Sequence, residues 1–289
     1  MPSDVQSDIF PKTRRRRTSD PSPAVPSAER AHLRRLRRDL TTATAHDGFV
    51  LHYQPRVALR SGALTGAEAL IRWPHRKRGL MAAGSFISVA EQAGLISDIG
   101  GWVLRAACAA AVGWGQRVRI AVNVSARQLQ DQDLLRQIGE ALDDTGLDPE
   151  MLEIELSEAI LTDDNLDTLL VLSALRDLGV GVTLDDFGAG VASLAMLKRL
   201  PLEQIKIDRA LVRTLPDEPE DVSIVQAIVD TGHALGLRVI AEGVETEAQR
   251  SLLAAIGCDQ AQGYLFSQPL PEEQFRLRLG SQTVLAAAG

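Results

Sequence analysis

From residue 49 onward, short apolar runs recur along the chain, separated by polar turns and by longer amphipathic stretches. Eight of the runs predict strands: FVLHYQ (49–54), GAEALIR (66–72), VRIAVNV (118–124), MLEIEL (151–156), VGVTLDD (180–186), EQIKID (203–208), LRVIAE (237–242) and CDQAQGYL (258–265). Most are rich in Val, Ile and Leu and read as lacking clean alternation, as strands covered on both faces do. Residues 165–177, 221–235 and 246–256 repeat apolar positions at three- and four-residue spacing and predict helices between the later strands. That alternation predicts a parallel sheet, and eight strands predict closure into a barrel. One link departs from the pattern. The eleven residues between Gln54 and Gly66 include Ser61-Gly62 and are too few for a parallel crossover. The first two strands therefore predict a hairpin. The expected fold is α/β, a modified TIM (β/α)8 barrel with one antiparallel strand near the N-terminus. Gln54, on a strand that could be reversed, has the least determined place at the rim.

The same pattern sets boundaries. Residues 1–28 hold five prolines and the run Arg14-Arg15-Arg16-Arg17 with no apolar period, which predicts a disordered basic tail. A solvated tail is the simpler reading of it, and contact with a membrane surface or nucleic acid the functional one. A single domain is expected over 29–280, entered through a helix at 29–44 that packs Leu33, Leu36 and Leu40, with a short C-terminal tail at 281–289. Charge sharpens this picture: residues 1–40 carry ten Lys/Arg against five Asp/Glu, while the rest carries 21 against 33. A body that acidic is not a non-specific binder of nucleic-acid polymers, and a phosphate ligand would need a local device such as a metal. Apolar runs fall short of the ~20 residues of a membrane span. No secretory signal is visible, and Cys108 and Cys258 form no disulfide framework, so a cytoplasmic location is expected.

Candidate chemistry follows from where the polar residues fall. Glu68, Asn123, Glu155, Asp185, Asp186, Lys206, Glu242 and Gln262 lie in or close the predicted strands. In a parallel barrel, C-terminal strand ends converge on one rim, where catalytic groups sit. Any one of these carboxylates taken alone is most simply a solvated or helix-capping group, and Lys206 alone a surface lysine. Together they predict a crowded acidic rim whose mutual repulsion divalent cations would relieve. An all-oxygen donor set suits Mg²⁺ or Mn²⁺ rather than zinc. His75 joins no motif and is assigned no part in the chemistry.

The stretches that carry these residues resemble the EAL-domain family of cyclic di-GMP phosphodiesterases. The matching pieces are Gln54-Pro55, Glu68-Ala69-Leu70 with Arg72-Trp73, Asn123-Val124-Ser125, Glu155-Leu156-Ser157-Glu158 and Asp185-Asp186-Phe187-Gly188. Lys206-Ile207-Asp208, Ala241-Glu242-Gly243-Val244-Glu245 and Gln262-Gly263-Tyr264 complete them. The resemblance implies a usually dimeric barrel that hydrolyses one phosphodiester of cyclic di-GMP to linear 5′-pGpG in bacterial signalling. It implies that Glu68, Asn123, Glu155 and Asp185 hold one Mg²⁺ or Mn²⁺, with Asp185 bridging to a second near Asp186 and Glu242. Lys206 would hold the attacking water or the phosphate, and Glu242 would be the general base. Gln54, Leu70, Arg72, Gln262 and Glu245 would border the substrate, the last two also supporting the metal shell. Glu158 would anchor the loop that starts at Gly188 and couples the dimer surface to the metals.

Departures from the family pattern are modest. Val191-Ala192 stands where Tyr-Ser is common, Ser157 where Thr is usual, Ala159 where Ser is usual, and Ala83 where Pro is common. None removes an expected ligand. A catalytically silent cyclic di-GMP sensor and a regulator acting through protein contacts remain as alternatives. Composition and spacing, without the resemblance, are equally compatible with a hydrolase of another phosphodiester.

Overall fold

A computed structural model describes residues 27–158, 166–188, 190 and 194–286. The expected tail falls outside these residues except for its last two, as do Ala159, Ala189 and residues 191–193. The described strands are β1 (Val50–Ala58), β2 (Leu64–His75), β3 (Gly79–Ala82), β4 (Arg119–Asn123), β5 (Leu152–Ser157), β6 (Gly181–Phe187), β7 (Gln204–Ile207), β8 (Arg238–Glu242), β9 (Gln260–Gln262) and β10 (Leu270–Pro271). Around them lie α1 (Ser27–Ala45), α2 (Ile87–Ala93), α3 (Ile96–Gly113), α4 (Ala126–Leu129), α5 (Leu134–Thr145) and α6 (Leu166–Asp177). The later helices are α7 (Leu194–Leu197), α8 (Arg209–Arg213), α9 (Pro219–Ala234), α10 (Glu247–Ile256) and α11 (Glu272–Ala286).

Eight strands close on themselves. From β2 through β4, β5, β6, β7, β8 and β9 every neighbour is parallel. β1 completes the ring and runs antiparallel to both β2 and β9. The reversed strand is therefore the first, as the short connector requires. β3 and β10 are additions that the apolar runs did not reveal. β3 extends β2 as a hairpin, and β10 pairs with the part of β1 that β9 is too short to reach.

The structure corrects the reading of the strands as lacking alternation. Ile154 and Leu156, Val182 and Leu184, and Ile205 and Ile207 belong to the apolar layer beneath the helices. Their alternates Glu153 and Glu155, Thr183, Gln204 and Lys206 are buried polar groups. Gln54, Arg56, Glu68, Gln260 and Gln262 share that character on β1, β2 and β9. The alternation thus separates a helix-facing side from the lumen, rather than a core from solvent. α1 packs Leu36, Leu40 and Ala43, whereas Leu33, expected inside, is 38% exposed. α3 is long and apolar enough by length and composition to cross a membrane, but 56% of that stretch is buried, and the helix packs on α5 and β4.

Candidate active site

The strand ends converge as the topology demands. Lys206, fully buried on β7, sits at the centre. Its Nζ donates to Asp185 Oδ2 and Glu155 Oε2 at 3.1 Å and to Glu68 Oε2 at 3.3 Å. Glu68 also accepts from Asn123 Nδ2 at 2.7 Å and from Gln262 Nε2 at 2.5 Å. Gln262 in turn donates to Gln54 Oε1, and Gln54 donates to the Ser267 carbonyl. Reversal of β1 does not remove Gln54 from this cluster, because it pairs in register with Glu68.

Asp185 and Asp186 pose a geometric problem, since adjacent strand residues point to opposite faces. A bulge resolves it. β6 advances from Leu184 to Phe187 while β7 advances only from Ile205 to Ile207, which leaves one extra residue on β6. Asp186 adopts φ 57°, in the left-handed region that Asp enters more readily than most side chains. Its N–H donates to Asp185 Oδ1 at 2.9 Å. The result is that Asp185, Asp186 and Glu242 offer ligand oxygens lying within 4.8 Å of one another.

Electrostatics follow from five carboxylates around one ammonium. Burial opposes charge on Glu68, but Lys206 and the bonds from Gln262, Asn123 and Lys206 hold it below the usual range. Glu155 is pushed well above it by burial, with the charges of Glu68 and Asp185 adding to the effect. Burial and the charges of Asp185 and Asp208 raise Asp186. Glu242 is raised to about 7 by burial, then by Asp185, Glu68 and Asp186, against the pull of Lys206. Lys206 stays protonated despite burial because Glu155, Glu68, Asp185 and Glu242 surround it.

A divalent cation fits these residues. Glu155 Oε1 is buried without a hydrogen-bond partner, the donors are all oxygens, and negative charge is in excess. Beside the cluster opens a cavity of about 560 Å³ whose walls include Leu70, Ile87, Ser125 and Ser157. Arg72, half-buried at the end of β2, is bonded to the Ile71 carbonyl. Glu245 is exposed at the start of α10 and stands outside the hydrogen-bonded cluster around Lys206, its N–H donating to Gln249. Glu158 is buried, and its Oε2 accepts from the N–H groups of Gly188 and Gly190 at 3.1 and 3.0 Å. A side chain at Gly190 would collide with that carboxylate. Gly188 holds φ 101°, where a Cβ would also meet Leu211.

Sequence reasoning missed the groups beneath the site. Arg56 Nη2 donates to Glu153 Oε2 at 2.6 Å in the lower lumen, and Gly66 leaves the space that the guanidinium fills. Asp208 caps α8 through the Ala210 N–H and adds its charge to those acting on Asp186. The alternating polar positions of β1, β5 and β7 carried a signal for the first pair.

The EAL domain family matches residues 37–269, most of the folded chain. The chain belongs to the EAL-domain family. This EAL domain is 44% identical over 239 residues to the signaling protein YkoW of Bacillus subtilis, covering 82% of this chain and 30% of that one. It is 43% identical over 243 residues to the bifunctional diguanylate cyclase/cyclic di-GMP phosphodiesterase MucR of Pseudomonas aeruginosa, covering 83% and 36%. The chain thus spans about a third of the length of these curated relatives. A solved structure described as the PaMucR phosphodiesterase in complex with c-di-GMP superposes with a TM-score of 0.80 at 42% identity, over 83% of this chain and 99% of that one.

Proposed function

We propose that this EAL domain hydrolyses one phosphodiester bond of cyclic di-GMP to linear 5′-pGpG, using two Mg²⁺ or Mn²⁺ ions. The observation that carries this is the cluster of five carboxylates around buried Lys206, opening on a cavity large enough for a nucleotide. Similarity to MucR, whose phosphodiesterase structure holds c-di-GMP, supports the choice of substrate.

Glu68, Asn123, Glu155, Asp185, Asp186 and Glu242 would hold the cations. Asn123 spends its amide N–H on Glu68, which leaves its carbonyl oxygen for coordination. When bound, divalent cations lower the pKa of water and stabilise charge on the attacking and leaving oxygens. Glu242, poised near neutrality, takes the proton of the attacking water as general base. Lys206 places a fixed positive charge where negative charge grows on the phosphoryl group. Arg72, Leu70, Gln54 and Gln262 border the substrate, and Glu158 holds the Gly188–Gly190 turn that follows the two aspartates. Glu245, exposed as it is, takes a peripheral place in this scheme.

A homodimer is part of the proposal. α6, which follows Glu158 in the chain, exposes Leu166 and Leu170 one turn apart, at 70% and 68%, as a face that a second copy would cover. The test is a product assay with purified protein, cyclic di-GMP and Mg²⁺ or Mn²⁺. Appearance of pGpG, suppressed by chelator and by Glu242→Gln, is the expected result. Tight binding of cyclic di-GMP with no pGpG under either metal would overturn the hydrolytic reading.

A further inference from the structure

The folded residues carry a concentration of positive charge that the proposed reaction does not use. Arg76, Lys77 and Arg78 form the exposed turn between β2 and β3. α1 lies beside it and exposes Arg34, Arg35, Arg37 and Arg38. Two contacts lock helix and turn together. Arg78 Nη2 lies 3.1 Å from His32 Nε2. His75 Nδ1 accepts from the Lys77 N–H, which leaves Nε2 to carry the proton and face Asp39 Oδ2 at 3.4 Å. Because helical residues turn about 100° each, Arg35 and Arg38 flank the side of α1 that carries His32 and Asp39. Seven cations therefore share one continuous face. The acid among them, Asp39, is already engaged by His75 and Arg38.

We propose that this face of α1 and the β2–β3 turn docks the domain onto an anionic lipid bilayer. Two exposed leucines stand among the cations: Leu33 on α1 at 38% and Leu80 beside the turn at 53%. A nucleic acid has no use for them, and the aromatic side chains near this face, Trp73 and Phe86, are buried and offer no surface for stacking bases. A bilayer uses both kinds of group, since its headgroups attract the cations and its acyl boundary accepts short apolar side chains. The acidic remainder of the chain is repelled by the same surface, so the charge asymmetry also sets orientation.

The experiment is co-sedimentation of the full chain with vesicles of phosphatidylcholine alone and with vesicles containing about a third phosphatidylglycerol. Binding to the anionic vesicles that weakens as salt rises, with little binding to phosphatidylcholine, is the expected result. Each cation near a charged bilayer contributes about fivefold in partitioning, so a variant with Arg76→Gln, Lys77→Gln and Arg78→Gln should bind about 100-fold more weakly. Leu33→Ser with Leu80→Ser should weaken the binding that remains at high salt. These side chains are exposed, so unchanged melting temperatures accompany both variants. Equal binding to both vesicle types, or to neither, overturns the proposal. So does full binding by the triple variant alongside loss on changing Arg14–Arg17 to Gln, which would assign the membrane to the tail. Duplex DNA that competes with the vesicles at equal phosphate concentration would also overturn it.

Discussion

The two ends of the barrel lumen are built from the same residue types and reach opposite electrostatic outcomes. At the lower end Arg56 and Arg119 share Glu153, and Arg119 and Arg238 share Glu203. Three guanidinium groups face two carboxylates, and each carboxylate has two partners. Glu153, fully buried, is held below the usual range because Arg56 and Arg119 outweigh its desolvation. At the mouth five carboxylates share one ammonium, and three of them are driven above the usual range. The lower end neutralises itself and needs no ligand. The mouth is left short of positive charge, which is the condition of a site made to receive cations.

Substitutions at the two ends should therefore separate activity from stability. At the mouth, Glu68→Ala, Asp185→Asn, Lys206→Ala and Glu242→Gln should each lower pGpG formation by about 100-fold or more, and combined losses should fall far short of the product. Two or more of these variants with near-normal turnover would break the comparison. At the lower end, Glu153→Gln strands the buried charge of Arg56 and should cost ~3 kcal/mol in urea unfolding while turnover per folded molecule is largely kept. If Glu153→Gln silenced the enzyme without loss of stability, the lower lumen would belong to the site.

Cations sharpen the contrast further. A ligand held only by the folded state at 100 times its Kd stabilises by about 2.7 kcal/mol, so Mg²⁺ or Mn²⁺ should raise the melting temperature. Asp185→Asn should remove most of that response, and Glu153→Gln should keep it. The pH dependence of the metal-free protein follows from Glu242, whose pKa rises from 4.5 to about 7 on folding. Its contribution is fully present below the unfolded value and is lost as the folded group ionises. Stability in chelator should thus fall by about 2 kcal/mol as pH rises from 4.5 through 7. Glu242→Gln should flatten that slope, and a slope unchanged in the variant would assign the titration to another group. The smallest effect expected is on the loop. Glu158→Ala frees the Gly188 and Gly190 N–H groups and should lower turnover by about tenfold while leaving the melting response to cations in place. His75→Ala should leave turnover close to normal.

Much of this molecule was legible in its sequence for local reasons. Eight apolar runs marked eight barrel strands, because a strand buried on its helix side must keep Val, Ile or Leu there. The eleven-residue link after Gln54 required a reversal, because no crossover fits in it. Glu68, Asn123, Glu155, Asp185, Lys206 and Gln262 could be placed at one rim, because parallel strands end together. The tertiary structure alone decided what depends on several strands at once. Leu33 was placed outside by the angle at which α1 meets the barrel. The pairing of Arg56 with Glu153 required β1 and β5 to face each other across a lumen that no single strand reveals. Asp185 and Asp186 share one cluster only because β6 bulges against β7, and a bulge is a property of the pair. Sequence determines which groups a strand carries, whereas the closed barrel determines which charges meet and whether their sum is left for a ligand to complete.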